Sequence, residues 1–356
     1  LSVADYIVFR LTGRMVTDPT LAARTYAYSL EDGAWDDAWI RHFDLAPENF
    51  PRVAFTGEPA GSVAPGTASL TGLPSSATVA VCGHDHICAA LAVGMSDPGT
   101  VVDSVGTAES VLGVLDSAEL GRKGFDSGLK IVPHVLPNRF CWLGGTRSAG
   151  GAIDWAKSAV ADPPLSCSDT MRAIESAGDG PTGILFFPYL RGGGGVHSDD
   201  HMRAAFVGLD ASHEQAHLLK AVWEGTAYEA ESIRRAAECL IHRPIDELIV
   251  VGGGAADTSW AQIRADVSGC RCILPDIEEA TGVGAALLAG LGYGILSSPE
   301  DVLAIANSYR RAGTTVYPDD ARHARYRELY ETGYVPVGKA LRTATRAVRG
   351  EEFNDG

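Results

Sequence analysis

Residues 247–275 read ELIVVGGGAADTSWAQIRADVSGCRCILP. A short β-branched run empties into three glycines, a segment of helical spacing follows, and CILP returns to a strand pattern. Bare glycine backbone and a helix N-terminus brought together in this way accept phosphate or a nucleotide. The same residues serve equally as a tight turn that lets strand and helix pack closely. Neither G-x-G-x-x-G nor G-K-[ST] is spelled out, so neither a dinucleotide fold nor a Walker loop is supported.

Outward from there the alternation continues. ATGVGAALLAGLGYG (280–294) predicts a helix of small residues, and TVVDSVGTAESVLGVL (100–115) a hairpin whose turn holds Gly106. The hydroxyls of Ser104 and Thr107 suit phosphate oxygens, although Gly-Thr turns also occur in ordinary hairpins. Residues 139–160 predict a strand, a glycine-rich turn and a helix from near Ala149. GILFFPYL (183–190) is an apolar strand ending in RGGGG, and His197, Asp199 and Asp200 mark a mobile polar loop after it. Ser212 with Gln215 spells a capping box before a long amphipathic helix over 213–240. Tyr326, Tyr330 and Tyr334 recur every fourth residue as a packing face. The first residues read as a helix stopping at Gly13 but lacking a capped start, as though something upstream were absent. Residues 53–77, rich in Gly, Pro, Ser and Thr, predict a path over the surface. Strands and helices taking turns predict an α/β fold with helices over a mostly parallel or mixed sheet.

A chain of 356 residues exceeds a comfortable single core, so two domains are expected, divided at Pro98–Gly99. Acidic residues outnumber basic ones by 45 to 29, which argues against nucleic acid or an anionic membrane as a partner. No run of about 18 apolar residues offers a membrane span. Seven scattered cysteines read as reduced thiols of a cytoplasmic protein, and Cys270 with Cys272 lacks the second pair that a zinc site needs.

The chemistry centres on VAVCGHDHICAALAVG (79–94), where Asp85 stands between His84 and His86 after a short buried strand and before a helix. Asp85 has three readings: an N-cap accepting the N–H of Ile87 or Cys88, a metal ligand, or a carboxylate that orients a substrate hydroxyl and takes its proton. Capping and catalysis are compatible. His84 and His86 read as hydrogen-bonded core imidazoles or as neighbours of a substrate.

Several stretches in this order resemble the FGGY carbohydrate kinases. RLTGRMVTDPTLAARTYAYSL (10–30) is similar to the family's RLTG-x-x-VTD segment, CGHDHICAALAVG (82–94) to the stretch with its catalytic aspartate, and VVDSVGTAESV (101–111) to its second phosphate loop. GILFFPYL and the long helix after it, the adenosine-motif glycines in 248–290, and YPDDARHARYRELYETGY (317–334) match in sequence order. The resemblance implies an actin-like, ribonuclease-H-like ATPase fold, with two domains around a nucleotide and sugar cleft. It implies ATP as donor, Mg²⁺ riding on the ATP phosphates and water with Asp85 nearby, and a sugar or polyol hydroxyl as acceptor. Carried over by position, Asp85 is catalytic and His84 lies beside the acceptor. Ser104, Gly106 and Thr107 meet the phosphates, while Gly144, Gly145, Gly253, Gly254 and Asp257 border the nucleotide.

On this reading residues 1–97 are the remainder of the first domain, 98–345 the second and 346–356 a flexible tail. The family's opening D-x-G-(T/S) phosphate hairpin has no counterpart here, so the chain is expected to be a fragment or shortened form of a longer kinase that binds nucleotide weakly and is slow or inactive by itself. RGGGG replaces a more polar loop, and Asp257 stands where Asn or Ser is usual. The expected acceptor is a ketopentose or deoxyketohexose ahead of a polyol, and a homodimer is compatible with the family. A non-catalytic nucleotide- or sugar-binding relative is the alternative, and it would not need Asp85.

Overall fold

Ser2 opens the first helix, α1 (Val3–Thr12): its Oγ accepts the Asp5 N–H at 3.2 Å while the Asp5 carboxylate accepts the Ser2 N–H at 2.8 Å. The start that looked uncapped is therefore reciprocally capped, because Asp5 does here what a Glu at that position usually does. The helix stops at Gly13, as predicted. The computed structural model describes residues 1–118, 121–159, 161, 163–253 and 258–348.

Strands Pro59–Ser62 and Thr78–Ala80 pair antiparallel in a small sheet, with a helix at Pro65–Thr71 between them. Residues 53–77 run mostly over the surface, as predicted, and form a short helix there, where Pro65 presets the helical φ and the missing N–H costs nothing. Helix α2 (Asp85–Ala92) follows after a turn at residues 81–84.

Among the described residues the main sheet has seven strands: β1 (Val101–Val105), β2 (Glu109–Leu115), β3 (Lys130–Pro133), β4 (Phe140–Thr146), β5 (Glu247–Val251), β6 (Arg271–Leu274) and β7 (Thr314–Val316). Their order is β7-β6-β5-β1-β2-β4-β3. β5 runs parallel to β1 and β6, and the other neighbours are antiparallel. The opening stretch is therefore a parallel strand–helix–strand unit inside a mixed sheet, as its periodicities predict. With α2, helices α3 (Gly150–Ala159), α4 (Gln215–Ile241), α5 (Thr258–Ser268) and α6 (Ala280–Gly292) pack on the sheet.

Both faces of the sheet are buried. On one, Val102, Leu112, Ile249 and Val251 meet Ile87 and Leu91 of α2 and Leu287 and Leu288 of α6. On the other, Val101, Val105, Leu248 and Val250 meet Ile153 of α3, Trp223 and Tyr228 of α4 and Ile263 of α5. Adjacent strand residues serve opposite layers, which is why β5 carries the continuous apolar run 248–251 instead of alternating.

The cap of α4 differs from the prediction. Glu214 is the N-cap and His217 completes the box, its Nδ1 accepting the Glu214 N–H at 3.1 Å, whereas Ser212 turns to Asp210. Glu224 and Glu229 on this helix are buried, and the terminal tyrosines hold them: Tyr326 donates to Glu224 at 3.0 Å, and Tyr334 and Tyr189 each donate to Glu229 at 2.7 Å. Tyr330 packs on the same face and bonds Ser232 at 2.9 Å. The fourfold spacing is a packing face, as expected, with a hydrogen-bonded polar edge.

Burial pushes the Glu224 carboxyl from its ordinary 4.5 up to about 7, against the pull of Thr182, Lys220 and Tyr326. Between those two values the folded chain keeps a proton that the unfolded chain has lost, so this group's contribution to stability falls as pH rises through that window. Relative to Glu224→Gln, the unmodified protein is expected to lose melting temperature steadily from about pH 4.5 to about pH 7 and to level off above. Parallel melting curves of the two proteins across that range would contradict the assignment.

Candidate active site

The turn that presents Asp85 is fixed from below. Gly83 sits at φ +106°, and a Cβ there would stand 2.7 Å from Val135 Cγ1 and 3.2 Å from Thr20 Oγ1. Only glycine fits both the backbone and the space. The His84 N–H donates to Thr20 Oγ1 at 2.7 Å, and the Thr20 hydroxyl donates to Asp18 Oδ1 at 2.6 Å. Burial raises the Asp18 carboxyl above its ordinary range, against the hydrogen bonds from Thr20. A chain of two hydrogen bonds thus anchors the turn to the VTDPT segment.

His84, not Asp85, is the N-cap of α2, and its carbonyl accepts the N–H groups of both Ile87 and Cys88 at 3.0 Å. The expected Asp85 cap is corrected on this point: Asp85 is the first helical residue, because His84 takes the extended φ and ψ that a cap requires. Asp85 Oδ1 accepts the His86 N–H at 2.7 Å and lies 3.0 Å from His84 Nδ1. Its side chain remains 66% exposed. Freed from capping the first turn, the carboxylate is available to a ligand.

Partial burial works to raise the Asp85 carboxyl, yet His86, His84, the His86 N–H and Arg24 outweigh it and hold it below the ordinary carboxylate range. Burial lowers His84 to about 4 against the attraction of Asp85, and it lowers His86 too. At neutral pH the cluster is one carboxylate between two neutral imidazoles. Among the described residues no group of three His, Cys, Asp or Glu side chains is placed to hold a metal ion.

His86 Nδ1 lies 3.0 Å from Ser104 Oγ, which ties the Asp85 segment to β1 just before the hairpin tip. Ser104, expected at the phosphates, meets His86 here and does not line the cleft described below. At the tip, the carbonyls of Gly106 and Thr107 accept the N–H groups of Ala149, Gly150 and Gly151, all at 3.0 Å. The N-terminus of α3 thus positions the hairpin. Gly106 and Thr107 border a cleft of about 710 Å³ together with Gly150, Ile153, Lys157, Met171, Trp223, Gly253, Ser259 and Trp260. That volume suits a nucleotide-sized ligand.

Gly253 faces open space, so the strand end of β5 leaves room against the cleft. Gly254 and Asp257 lie outside the described residues, as do residues 349–356 of the expected tail. Gly144 and Gly145 are not brought to the cleft. The strand runs on through them to Thr146, and a Cβ on either would stand 2.5 Å from Ile233 Cγ2 or from the Glu109 carbonyl oxygen. They serve close packing against α4 and β2. The 192–200 loop is tied back, with Gly193 N–H on the Asp199 carbonyl at 2.8 Å and Asp200 2.5 Å from Arg147. Thr20, Asp18, Trp260 and Ser259 were not singled out from sequence. An aspartate before a proline was the one local sign for the first two, and the helix start after the triple glycine for the others.

Models of the FGGY family of carbohydrate kinases match the chain, the N-terminal domain over residues 1–92 and the C-terminal domain over 102–293. The xylulose kinase of Bacillus subtilis (strain 168) is 29% identical over 349 residues, covering 97% of this chain and 68% of that protein. The xylulose kinase of Staphylococcus xylosus is 28% identical over 327 residues, covering 92% of this chain and 66% of that protein. Among solved structures, the ligand-bound xylulose kinase from Lactobacillus acidophilus superposes with a TM-score of 0.85 at 21% identity, over 97% of this chain and 68% of that one. The chain spans about two thirds of the length of these relatives. The likeness shows the actin-like ATPase fold, here with a mixed sheet covered on both faces. With both domain models matched in sequence order, the chain belongs to the FGGY family of carbohydrate kinases.

Proposed function

We propose that this protein transfers the γ-phosphoryl group of ATP to a hydroxyl of a ketose, a ketopentose or deoxyketohexose ahead of a polyol, with Asp85 as the catalytic carboxylate. One observation carries the reading: an exposed, ionised Asp85 at the start of α2 is linked through His86 and Ser104 to the strand entering the Gly106–Thr107 hairpin, which opens the cleft. Acceptor hydroxyl and donor phosphate would then meet between two elements held in register. The xylulose kinase relatives support the ketopentose preference.

In the reaction, the acceptor oxygen forms its bond to the γ-phosphorus as the bond to the bridging oxygen breaks, and ADP leaves with that electron pair. Asp85 aligns the hydroxyl and receives its proton late. An alcohol is far less acidic than a carboxyl group near its ordinary pKa of about 4, so positioning outweighs early deprotonation. Gly106, Thr107 and Gly253 border the nucleotide, and His84 lies beside the acceptor. Mg²⁺, which would neutralise phosphate charge, would be carried mainly by ATP oxygens and water with Asp85 nearby. The division at 97/98 places Asp85 on the sugar side and the hairpin on the nucleotide side. We place the protein in the cytoplasm, where its seven free thiols would stay reduced.

The test is ADP release from Mg-ATP by the full-length protein across a panel of ketoses and polyols. A ketopentose or deoxyketohexose is expected to give the highest kcat/KM. Preference for glycerol would overturn the acceptor assignment, and no ADP release with any acceptor would overturn the activity.

A further inference from the structure

The β1–β2 hairpin has two working faces. Ser104 points to one, toward His86. Asp103 lies on the other, and since Val105 pairs with Glu109 across the hairpin, Glu109 shares the face of Asp103. Arg264 of α5 reaches both carboxyl groups, its Nη1 standing 2.7 Å from Asp103 Oδ2 and 2.6 Å from Glu109 Oε1. All three side chains are buried. On its other side the guanidinium carbon lies 5.0 Å from the ring centre of Trp260, one helical turn back, and Trp260 lines the cleft. One side chain therefore touches both the base of the phosphate hairpin and a wall of the nucleotide cleft.

Stability alone does not account for this cluster. Burial, with Asp103 beside it, keeps the Glu109 carboxyl well above its ordinary range despite the attraction of Arg264. The three groups form one guanidinium held between two buried carboxyl groups. Even so, Arg264 Nε and Nη2 and Asp103 Oδ1 find no hydrogen-bond partner among the described residues. A buried ion cluster with unused donors adds less stability than apolar side chains of the same volume would. What it supplies is a fixed geometry between two elements.

Resting on the kinase reading above, we propose that Arg264 is a positioning residue that sets the phosphate hairpin against the Trp260 wall, so that bound ATP presents its terminal phosphoryl group toward Asp85. Arg264 touches neither the nucleotide nor the acceptor. Its loss acts on the ATP side of the reaction and leaves acceptor binding alone.

The test uses the full-length protein and Arg264→Lys, which keeps the charge but not the planar fork. The expected result is a fall of at least about tenfold in kcat/KM for ATP while KM for the sugar stays within about twofold. A purely structural role would lower the amount of active enzyme and move neither KM. A folded variant with kcat/KM for ATP within about twofold of the unmodified protein overturns the proposal. Hydrogen exchange on the unmodified protein decides the matter even if the variant does not fold. ADP is expected to slow exchange in residues 105–109 and 258–264 together, and slowing in one segment without the other overturns the coupling. If the unmodified protein neither binds ADP nor consumes ATP, the kinase reading fails and takes this one with it. If it does both while Arg264→Lys is unchanged, this inference alone fails.

Discussion

Asp85→Asn is expected to lower kcat about a thousandfold, near the middle of what a positioned acid–base group contributes, while KM for ATP stays within about twofold. The fold should tolerate the change well. Asn keeps an oxygen where Asp85 Oδ1 accepts the His86 N–H, and the side chain is 66% exposed, so no buried group loses a partner. What disappears is the negative charge that aligns the acceptor hydroxyl and its capacity to take the proton. Because the carboxyl is held below its ordinary range, it stays ionised through mildly acidic pH, and the loss should be the same at pH 6 and pH 8. Coupled ADP release with ATP and sugar varied separately is the measurement. A variant that keeps most of its kcat would remove Asp85 from the chemistry.

The second large effect is expected at Gly284. Helix α6 packs so closely on α2 that a Cβ on Gly284 would run into the Cys88 carbonyl, and one on Gly292 into the carbonyl of Gly57. At an exposed helical site, Gly→Ala would add about 1 kcal/mol of stability through propensity. Here it meets backbone, not a flexible side chain, and overpacking of that kind costs about 1–3 kcal/mol. Gly284→Ala should therefore destabilise on balance, seen as a lower midpoint in urea. It should also lower kcat, since the displaced Cys88 lies one helical turn beyond Asp85. Full stability together with full kcat would show that the helix pair can spread without cost. Loss of stability with kcat intact would separate the packing from the site.

How much of this was legible in the sequence depends on distance along the chain. The 247–275 unit and the hairpin around Gly106 were readable because their periodicities and glycine breaks are local. The position of the α2 cap was not. Whether residue 84 or 85 takes the extended conformation depends on the Gly83 turn and on Thr20, 64 residues away, whose hydroxyl claims the His84 N–H. Gly144 and Gly145 suggested a turn because a glycine pair usually makes one, yet Ile233 and the Glu109 carbonyl fill the space beside them and keep the strand going. Arg264 gave no local sign of its role, since its Asp103 partner lies 161 residues earlier. Sequence order identified the family and pointed to Asp85, whereas the contacts that hold Asp85 and the hairpin in place come from pairs that only the fold brings together.

The two outer strands of the main sheet bear on how the protein meets its own kind. β7 is three residues long, and β3, four residues long, begins with Lys130 and ends with Pro133. A short edge offers few free backbone groups, and a proline removes one donor while a lysine resists burial. Neither edge is a template on which a second sheet could grow, so crowded chains are protected from strand-by-strand aggregation at both ends of the sheet. Two copies of the chain are therefore not expected to join by extending this sheet.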